Sequence, residues 1–241
     1  MEAKNILDAL LENYIRCYSY EDVGNVVDVE ETTLGERVTT GKFRTTFIRP
    51  DLLAFNLESE NTFGNHRFLL QSDGESIRAM NSRISTDGEQ KLVTQAYPSL
   101  PEALYTQAGS TLGITSLTFG LLNVINMLYD IRNAENIERL DDEALDGISC
   151  YRLAALINPF VRYESDAWIA TDTFHLVRYE LRTVLTEEFR ESIKALEKTV
   201  SQAEGITDDG VEAIGRTQTT HYERVVFNNS ITIDRIVDNH F

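Results

Sequence analysis

The sequence predicts an α+β protein that consists mainly of antiparallel β-sheet. Segments in which apolar and polar residues alternate follow one another over residues 24–83 and return after Asn133, which is the period of β-strands. Asp73-Gly74 and Asp146-Gly147 supply the turn signals of hairpins. Strands that follow one another through tight turns pair antiparallel, because a parallel pair needs a long crossover connection.

An amphipathic helix is predicted near the N-terminus, from about residue 3 to residue 19. Apolar residues recur there at spacings of three and four along one face: Ile6, Leu7, Leu10, Leu11, Tyr14 and Tyr18. The helix should end before Gly24, where the helical period changes to alternation.

The first group of strands should present a face rich in aromatic residues. Phe43, Thr45 and Phe47 share one face of a strand, and a corner at Arg49-Pro50-Asp51 follows it. Apolar residues on one face of the next two strands are Leu53, Phe55, Leu57, Phe68 and Leu70. This face is the expected core side of the sheet.

Two helices are predicted between about residues 99 and 129. Ser99-Leu100-Pro101-Glu102 has the spacing of a capping box, and the first helix should end at Gly109. The second begins near Thr115 and is apolar around most of its circumference, through Leu117, Leu121, Leu122, Ile125, Leu128 and Tyr129. A helix of this kind is buried or covers an apolar surface.

The second half of the chain returns to strands and adds one helix. Strands are predicted at Tyr151–Ile157, Tyr163–Ala170, Leu176–Leu185, 218–227 and 230–237. Between the third and fourth of these, Thr186 is a good N-cap for a charged surface helix over about residues 186–204, inserted between strands. No internal repeat and no linker divides the chain, so a single domain over residues 1–241 is expected.

The charge balance argues against a nucleic-acid partner. A formal net charge of −17 leaves 22 Lys and Arg residues against 39 Asp and Glu residues, whereas phosphate binding needs a clustered basic surface. No segment has the roughly 18 consecutive apolar residues of a transmembrane helix. We therefore expect neither nucleic acid nor a membrane span.

The cellular compartment stays open at this point. Residues 1–11 lack the basic start and apolar run of a secretory signal, so either the protein is cytosolic or a signal has been removed. Cys17 and Cys150 fit two free thiols in a cytosolic protein, or a single disulfide in an exported one.

Catalytic signatures are missing from the sequence. It contains no nucleophile elbow, phosphate-binding loop, dinucleotide fingerprint or zinc-protease motif. The four histidines lie without metal-ligand spacing, at His66, His175, His221 and His240. Acidic pairs such as Glu30-Glu31 fit solvated loops better than the dispersed carboxylates of a hydrolase. We expect no cofactor, no metal and no enzymatic activity.

The aromatic strand residues are the remaining functional signal. Phe43, Phe47, Phe55, Phe68 and Trp168 could line a ligand cavity or fill an ordinary core, and a core is the more common arrangement. The apolar central helix favours the cavity, because a twisted sheet covered by helices often leaves a cleft.

In the order of these elements and in four local motifs, the chain resembles the LolA-like superfamily. That group includes the lipoprotein carrier LolA, its acceptor LolB, LppX-type lipid binders and RseB-type stress regulators. The similar segments are Phe43–Phe55, Ser72-Asp73-Gly74, Asp146–Leu153 and Trp168–Arg178. The chain is most similar to a branch of predicted periplasmic proteins without an established function. Ala170, where an acidic residue is usual, and Val177, where proline is common, weaken the transfer of a carrier role.

The resemblance implies a strongly curved, half-open β-barrel with helices over its concave face, in a periplasmic or otherwise extracytoplasmic location. It also implies a non-catalytic protein that binds a hydrophobic ligand such as a lipid or a lipoprotein acyl chain. The residues then expected to line the cavity are Phe43, Phe47, Phe55, Leu57, Phe68 and Trp168, with Leu117, Leu121 and Ile125 as the lid. Export would also favour a Cys17–Cys150 disulfide.

Two other hypotheses remain. The alternative is an envelope sensor without lipid cargo, which binds a partner protein through the cleft or through the helix at 186–204. The third is a hydrolase whose carboxylates are dispersed along the sequence.

Overall fold

The computed structural model describes residues 1–62, 64–86, 88–126, 131–134, 136–158, 163–184 and 213–230. Twelve strands in these residues are β1 (Ser19–Thr32), β2 (Gly35–Ile48), β3 (Leu52–Asn61), β4 (Gly64–Asp73), β5 (Ile77–Ser85), β6 (Gln90–Tyr97), β7 (Asn136–Arg139), β8 (Glu143–Leu145), β9 (Ile148–Asn158), β10 (Tyr163–Ala170), β11 (Leu176–Val184) and β12 (Ala213–Phe227). The helices are α1 (Ala3–Arg16), α2 (Leu100–Thr106) and α3 (Ile114–Leu121). None of the described helices is long and apolar enough to cross a bilayer.

All twelve strands belong to one antiparallel sheet. Its order is β6-β5-β4-β3-β2-β1-β12-β11-β10-β9-β7, with β8 paired to β9. The terminal strands β6 and β7 do not pair with each other in the described part of the chain, so the sheet is curved but not closed. This confirms the predicted half-open antiparallel barrel with helices against it.

The N-terminal helix ends earlier than predicted. α1 stops at Arg16, because β1 already begins at Ser19, five residues before the predicted change of period at Gly24. Ile6, Leu7, Leu10 and Tyr14 are buried as expected, whereas Tyr18 lies beyond the helix and is 67% exposed.

The central helices are two short helices instead of one short and one long. Ser99 caps α2 through its hydroxyl, which accepts from the Glu102 N–H, as the capping box predicts. α3 ends at Leu121 because Asn123 adopts a left-handed conformation, with a φ of 58°. The Val124 N–H donates to the Phe119 carbonyl and the Asn123 N–H to the Gly120 carbonyl, which are the two bonds of a Schellman motif.

The second half agrees with the predicted strands where the structure describes it. β10 has the predicted bounds, and β9 begins three residues earlier than predicted and ends one residue later. β11 begins at the predicted Leu176 and runs to Val184, and Leu185 lies outside the described residues. The predicted helix at 186–204 and nearly all of the predicted strand at 230–237 lie outside the described residues, as do Leu128 and Tyr129. β6 was not predicted, because seven of its eight side chains are exposed and it shows no apolar alternation.

The helices cover one end of the concave face. Arg49, in the corner between β2 and β3, joins the helices to the sheet with three hydrogen bonds to carbonyl oxygens. Its Nε donates to Cys17 at 2.8 Å, and its Nη2 donates to Tyr14 at 3.1 Å and to Leu122 at 2.7 Å. One guanidinium therefore holds the C-terminal ends of α1 and α3 together.

We predict that Arg49→Met lowers the free energy of unfolding by about 2–4 kcal/mol, because three partly buried carbonyls lose charged donors. Urea denaturation followed by circular dichroism measures the change. Arg44→Met, at an exposed position of the preceding strand β2, is the matched control and should stay within about 0.5 kcal/mol of the wild type. Equal midpoints for the two variants would contradict this role of Arg49.

Candidate functional site

The predicted cavity residues of the first strands form a packed core. Phe43, Phe47, Phe55, Leu57 and Phe68 are at most 2% exposed and belong to one hydrophobic cluster. The ring of Phe47 meets Phe119 of α3 edge-on, with centroids 5.5 Å apart, and Phe43 meets Tyr222 in the same way at 5.6 Å. The protein's own side chains therefore occupy the space assigned to an acyl chain.

The predicted lid residues cover this cluster. Leu121 and Ile125 are buried in it, and Leu117 is partly buried at its margin. Leu121 and Leu117 lie on α3, whereas Ile125 follows the helix. The structure thus brings eight of the nine predicted residues together, in the main hydrophobic cluster or at its margin.

Trp168 lies apart, on the other face of the sheet. On β10, Ala167 and Ile169 join the main core, whereas Trp168 packs in a small second cluster with Cys150 and Val177. Its indole N–H donates to Glu143 Oε2 at 2.8 Å. Because side chains alternate between the faces of a strand, Trp168 cannot line the same space as Phe43.

An ion-pair network that the sequence analysis missed surrounds Trp168. The guanidinium carbons of Arg152 and Arg178 lie 5.0 Å and 4.6 Å from a ring centroid of Trp168. The buried carboxylate of Asp166 accepts from Arg152 at 3.2 Å and from Arg182 at 3.0 Å. These residues are neighbours only through strand pairing, so no spacing along the chain indicates them. The network stabilises three adjacent strands on the convex face.

The structure does not contain the disulfide that the resemblance favoured. Cys17 and Cys150 are free thiols, buried in the main cluster and in the Trp168 cluster respectively. Burial raises the pKa of both thiols. Since the thiolate is the reactive form, both cysteines are structural residues of the two clusters.

Residues 107–113, here called the crossing loop, span the concave face. Gln107 donates to the hydroxyl of Tyr97 on β6, Asn81 of β5 donates to Ser110 Oγ at 3.5 Å, and Gln218 of β12 donates to the Leu112 carbonyl. The loop therefore connects the edge of the sheet to its middle strand.

Two hollows open on either side of the crossing loop. The larger, here called the polar cleft, has a volume of about 580 Å³ and lies over β2–β6. Its sheet side is lined mainly by Thr39, Ser59, Asn61, His66, Arg83 and Lys91, and its roof by Gly109, Ser110 and Leu112. The smaller, of about 290 Å³, lies over β10–β12 and shares Gly109 with it. Both hollows lie beyond the packed core, at the open end of the half-barrel.

The polar cleft combines a neutral ring with cations. His66 is half buried, its Nε2 lies 2.9 Å from Asn81 Oδ1, and burial lowers its pKa, so the ring is uncharged at neutral pH. Arg83 and Lys91 are exposed beside it. On the far side of the crossing loop, Arg216 holds Asp28 with two hydrogen bonds of 2.6 Å and 2.9 Å. The cleft therefore offers hydrogen-bond donors, two cations and the carboxylate of Glu89.

A buried carboxyl lies within the packed core, on β1 between Tyr20 and Val26. Asp22 accepts from the Tyr20 hydroxyl at 2.7 Å and from the Thr45 N–H at 2.9 Å, and it is 1% exposed. Burial raises its pKa to about 7, although both hydrogen bonds act in the opposite direction. Burial also raises the pKa of Tyr20 and Tyr222 well above the usual value.

Metal binding has no evident site in the part of the chain that the structure describes. No group of three or more His, Cys, Asp or Glu side chains there could hold an ion. His66 lies on β4 and His175 directly before β11.

Comparison with known proteins finds similarity to solved structures only, at low sequence identity. No protein-family model and no curated protein matches the sequence. Among solved structures, a DUF1329 family protein from Desulfovibrio piger has 12% identity and a TM-score of 0.33, covering 98% of this chain and 97% of that one. A LolA superfamily protein from Nitrosomonas europaea has 13% identity and a TM-score of 0.28, with coverage of 98% and 97%. The MucA/MucB complex of Pseudomonas aeruginosa matches with 12% identity and a TM-score of 0.38, over 97% of this chain and 60% of that one.

The alignments with the first two structures run along almost the whole length of both chains. At these identities and TM-scores, the likeness concerns the course of the backbone. It assigns neither a ligand nor a partner.

We predict that Asp22 makes the protein less stable as the pH rises from about 4 to about 7. The folded-state pKa of about 7 lies above the ordinary value of 3.8, so the folded state binds the proton more tightly, and stability is lost as the carboxyl ionises. Asp22→Asn should abolish this contribution and raise the free energy of unfolding above pH 8 by about 3–4 kcal/mol. Urea denaturation at a series of pH values measures it.

Asp8→Asn, at an exposed position of α1, removes the same formal charge and serves as the control. It should keep the wild-type pH slope, because the general acidity of the chain is unchanged apart from one group. Parallel slopes for Asp22→Asn and the wild type would show that Asp22 does not titrate in this window.

Proposed function

We propose that this protein is a non-catalytic binding module that receives a segment of a partner protein in the polar cleft. The observation that carries the proposal is the division of the concave face. Its aromatic end is filled by the protein's own side chains, and its other end is open and polar. This was the second of the hypotheses from the sequence.

The filled end leaves no room for an acyl chain in the described conformation. Phe47, Phe55 and Leu53 have no exposed surface, and α3 lies directly on them through Phe119. A ligand could enter this end only after α2 and α3 had moved away from the sheet. An acyl chain that entered would have to replace contacts that already bury this surface.

The open end suits a peptide. A hollow of about 580 Å³ lies within the usual range for binding sites, and its lining supplies amide, hydroxyl, imidazole and cationic groups. The backbone of a peptide offers both donors and acceptors to such a lining, whereas an alkyl chain would leave these polar groups without partners. The chemistry of the lining therefore favours a polypeptide segment over a lipid tail.

A lipid or lipoprotein acyl chain remains the second candidate, and one observation favours it. The hydroxyls of Ser165 and Thr220 are buried on the covered face without hydrogen-bond partners among the described residues. Each such group lowers the stability of the closed arrangement by about 1–3 kcal/mol. α2 and α3 have only seven and eight residues, so a modest rearrangement would open a continuous apolar groove. An extracytoplasmic location is part of both proposals and rests on the resemblance of the sequence motifs.

Blocking the polar cleft tests the first proposal. A Cβ added at Gly109 meets no atom within 4 Å, so Gly109→Trp places an indole in the cleft without a clash at the backbone. Peptides selected from a random displayed library on the wild-type protein should lose binding to Gly109→Trp. Fluorescence anisotropy with the selected peptides measures the loss.

Gly109→Ala is the matched control, since a methyl group at this position leaves the cleft open. It should bind the selected peptides as the wild type does. Failure to select any peptide, or equal binding by the alanine and tryptophan variants, would reject the cleft as the binding site.

Native mass spectrometry with organic extraction separates the two candidates. The peptide-binding proposal predicts that the protein has the mass of the polypeptide alone and that the extract contains no stoichiometric lipid. The reason is that the protein's own side chains fill the core. A co-purifying lipid in one-to-one ratio would instead make the acyl-chain proposal the better one. The measurement is repeated after fatty acids and phospholipids have been added, and the peptide-binding proposal expects no lipid-bound species.

A further inference from the structure

Strand β6 is an unprotected edge of the sheet. It pairs only with β5 in the described part of the chain, and all its side chains except that of Tyr97 are exposed. Leu92 and Val93 are 58% and 49% exposed. Such an edge presents a row of backbone groups to which another strand can be added.

The hydrogen-bond register shows which residues face outward. The Ser85 N–H donates to the Glu89 carbonyl at 2.9 Å, so this pair closes the β5–β6 hairpin. Alternate pairs along an antiparallel ladder are hydrogen bonded, which assigns Lys91, Val93 and Gln95 to bonds with β5. The backbone groups of Leu92, Thr94 and Ala96 therefore point away from the sheet.

This edge differs in charge from the rest of the molecule. The chain has a formal net charge of −17, yet β5 and β6 contain no acidic residue and carry Arg78, Arg83 and Lys91. Among the described residues, none of these three side chains takes part in an ion pair. Glu89, directly before β6, also lines the polar cleft, so its charged lining comprises the two cations Arg83 and Lys91 and one carboxylate.

Two of the cations face each other. Arg83 and Lys91 are direct partners in the β5–β6 register, and both line the polar cleft, with His66 next in the same row. Like charges opposite each other destabilise a strand pair. A carboxylate placed between them would remove this repulsion and gain two charge-assisted hydrogen bonds.

We propose that β6 accepts an extended acidic segment of a partner protein as an added strand, with an acidic side chain bound between Arg83 and Lys91 at the rim of the polar cleft. This inference rests on the proposed peptide-binding function, to which it adds the mode of binding and the charge of the partner. A second copy of the chain fits less well, because its own β6 would bring another Lys91 and no acid.

The binding test uses fluorescent peptides of about ten residues that alternate glutamate with valine, and a second peptide with lysine in place of glutamate. We expect the acidic peptide to bind the full chain at low ionic strength and its affinity to fall as salt is added. The basic peptide should not bind. Arg83→Glu combined with Lys91→Glu should lower the affinity for the acidic peptide at least about tenfold. Lys4→Glu combined with Arg44→Glu, two exposed positions elsewhere, makes the same charge change and should retain binding.

The backbone contribution is tested at Thr94. Thr94→Pro removes an outward N–H and leaves the bonds to β5 in place, so the fold should persist by circular dichroism while peptide binding is lost. Thr94→Ala keeps the N–H and should bind as the wild type does. Equal binding of both peptides, or unchanged binding by Thr94→Pro, would overturn the proposal. So would sedimentation that shows a wild-type dimer which Thr94→Pro converts to a monomer.

The two proposals fail in different ways. If Gly109→Trp binds the acidic peptide normally while Thr94→Pro does not, the edge is the binding site and the cleft proposal is wrong. If Gly109→Trp abolishes binding while Thr94→Pro leaves it intact, the cleft proposal stands and the added strand is rejected.

Discussion

The pairing of β1 with β12 is the constraint on which the rest of the structure depends. These two strands join the half of the sheet made by residues 19–97 to the half made by residues 136–227, and the ladder runs from Tyr20 opposite Phe227 to Thr32 opposite Ala213. At its bulge, Gly24 has no room for a side chain, since a Cβ there would lie 2.3 Å from the His221 carbonyl oxygen. The ring of Phe43 occupies the space above this glycine and reaches across β1 to Tyr222. The two halves are therefore locked by backbone proximity as well as by hydrogen bonds.

The division of the concave face follows from the composition of these same strands. The inward residues of β1 change from Tyr20 and Asp22 to Asp28 and Glu30 along its length, and those of β2 change from Phe47 and Phe43 back to Thr39. The helices pack where the inward residues are aromatic, and the crossing loop passes over the polar part. One sheet thus has a closed end and an open end.

The sequence predicts the scaffold better than the site. The strands β2 to β4 were recognised because one side of each is more buried than the other, which imposes a period of two. β10, by contrast, is buried on both sides from Ser165 to Ala170. β6 was not predicted because all its side chains except that of Tyr97 are exposed. The early end of α3 was not predicted because Asn123 adopts the left-handed conformation that is usual for glycine at the end of a helix.

The site depends on which strands become neighbours, and this leaves no trace in local spacing. Phe43 and Phe68 were chosen as ligand residues from their apolar face, which is equally the pattern of a filled core. Trp168 was placed with them as an aromatic strand residue, although its position in the alternation of β10 directs its side chain to the convex face. Arg83 and Lys91 were overlooked, because their importance arises only when the β5–β6 hairpin sets them opposite each other.

The setting of Trp168 has a spectroscopic consequence. Trp168 is the only tryptophan in the chain. It contacts the guanidinium groups of Arg152 and Arg178 on the face of the sheet away from the crossing loop. Its fluorescence reports the integrity of β9, β10 and β11, so the emission can follow unfolding while remaining silent to a molecule that enters the concave side. A spectral shift on ligand addition would therefore indicate that binding on the concave face changes the conformation of the convex face around Trp168.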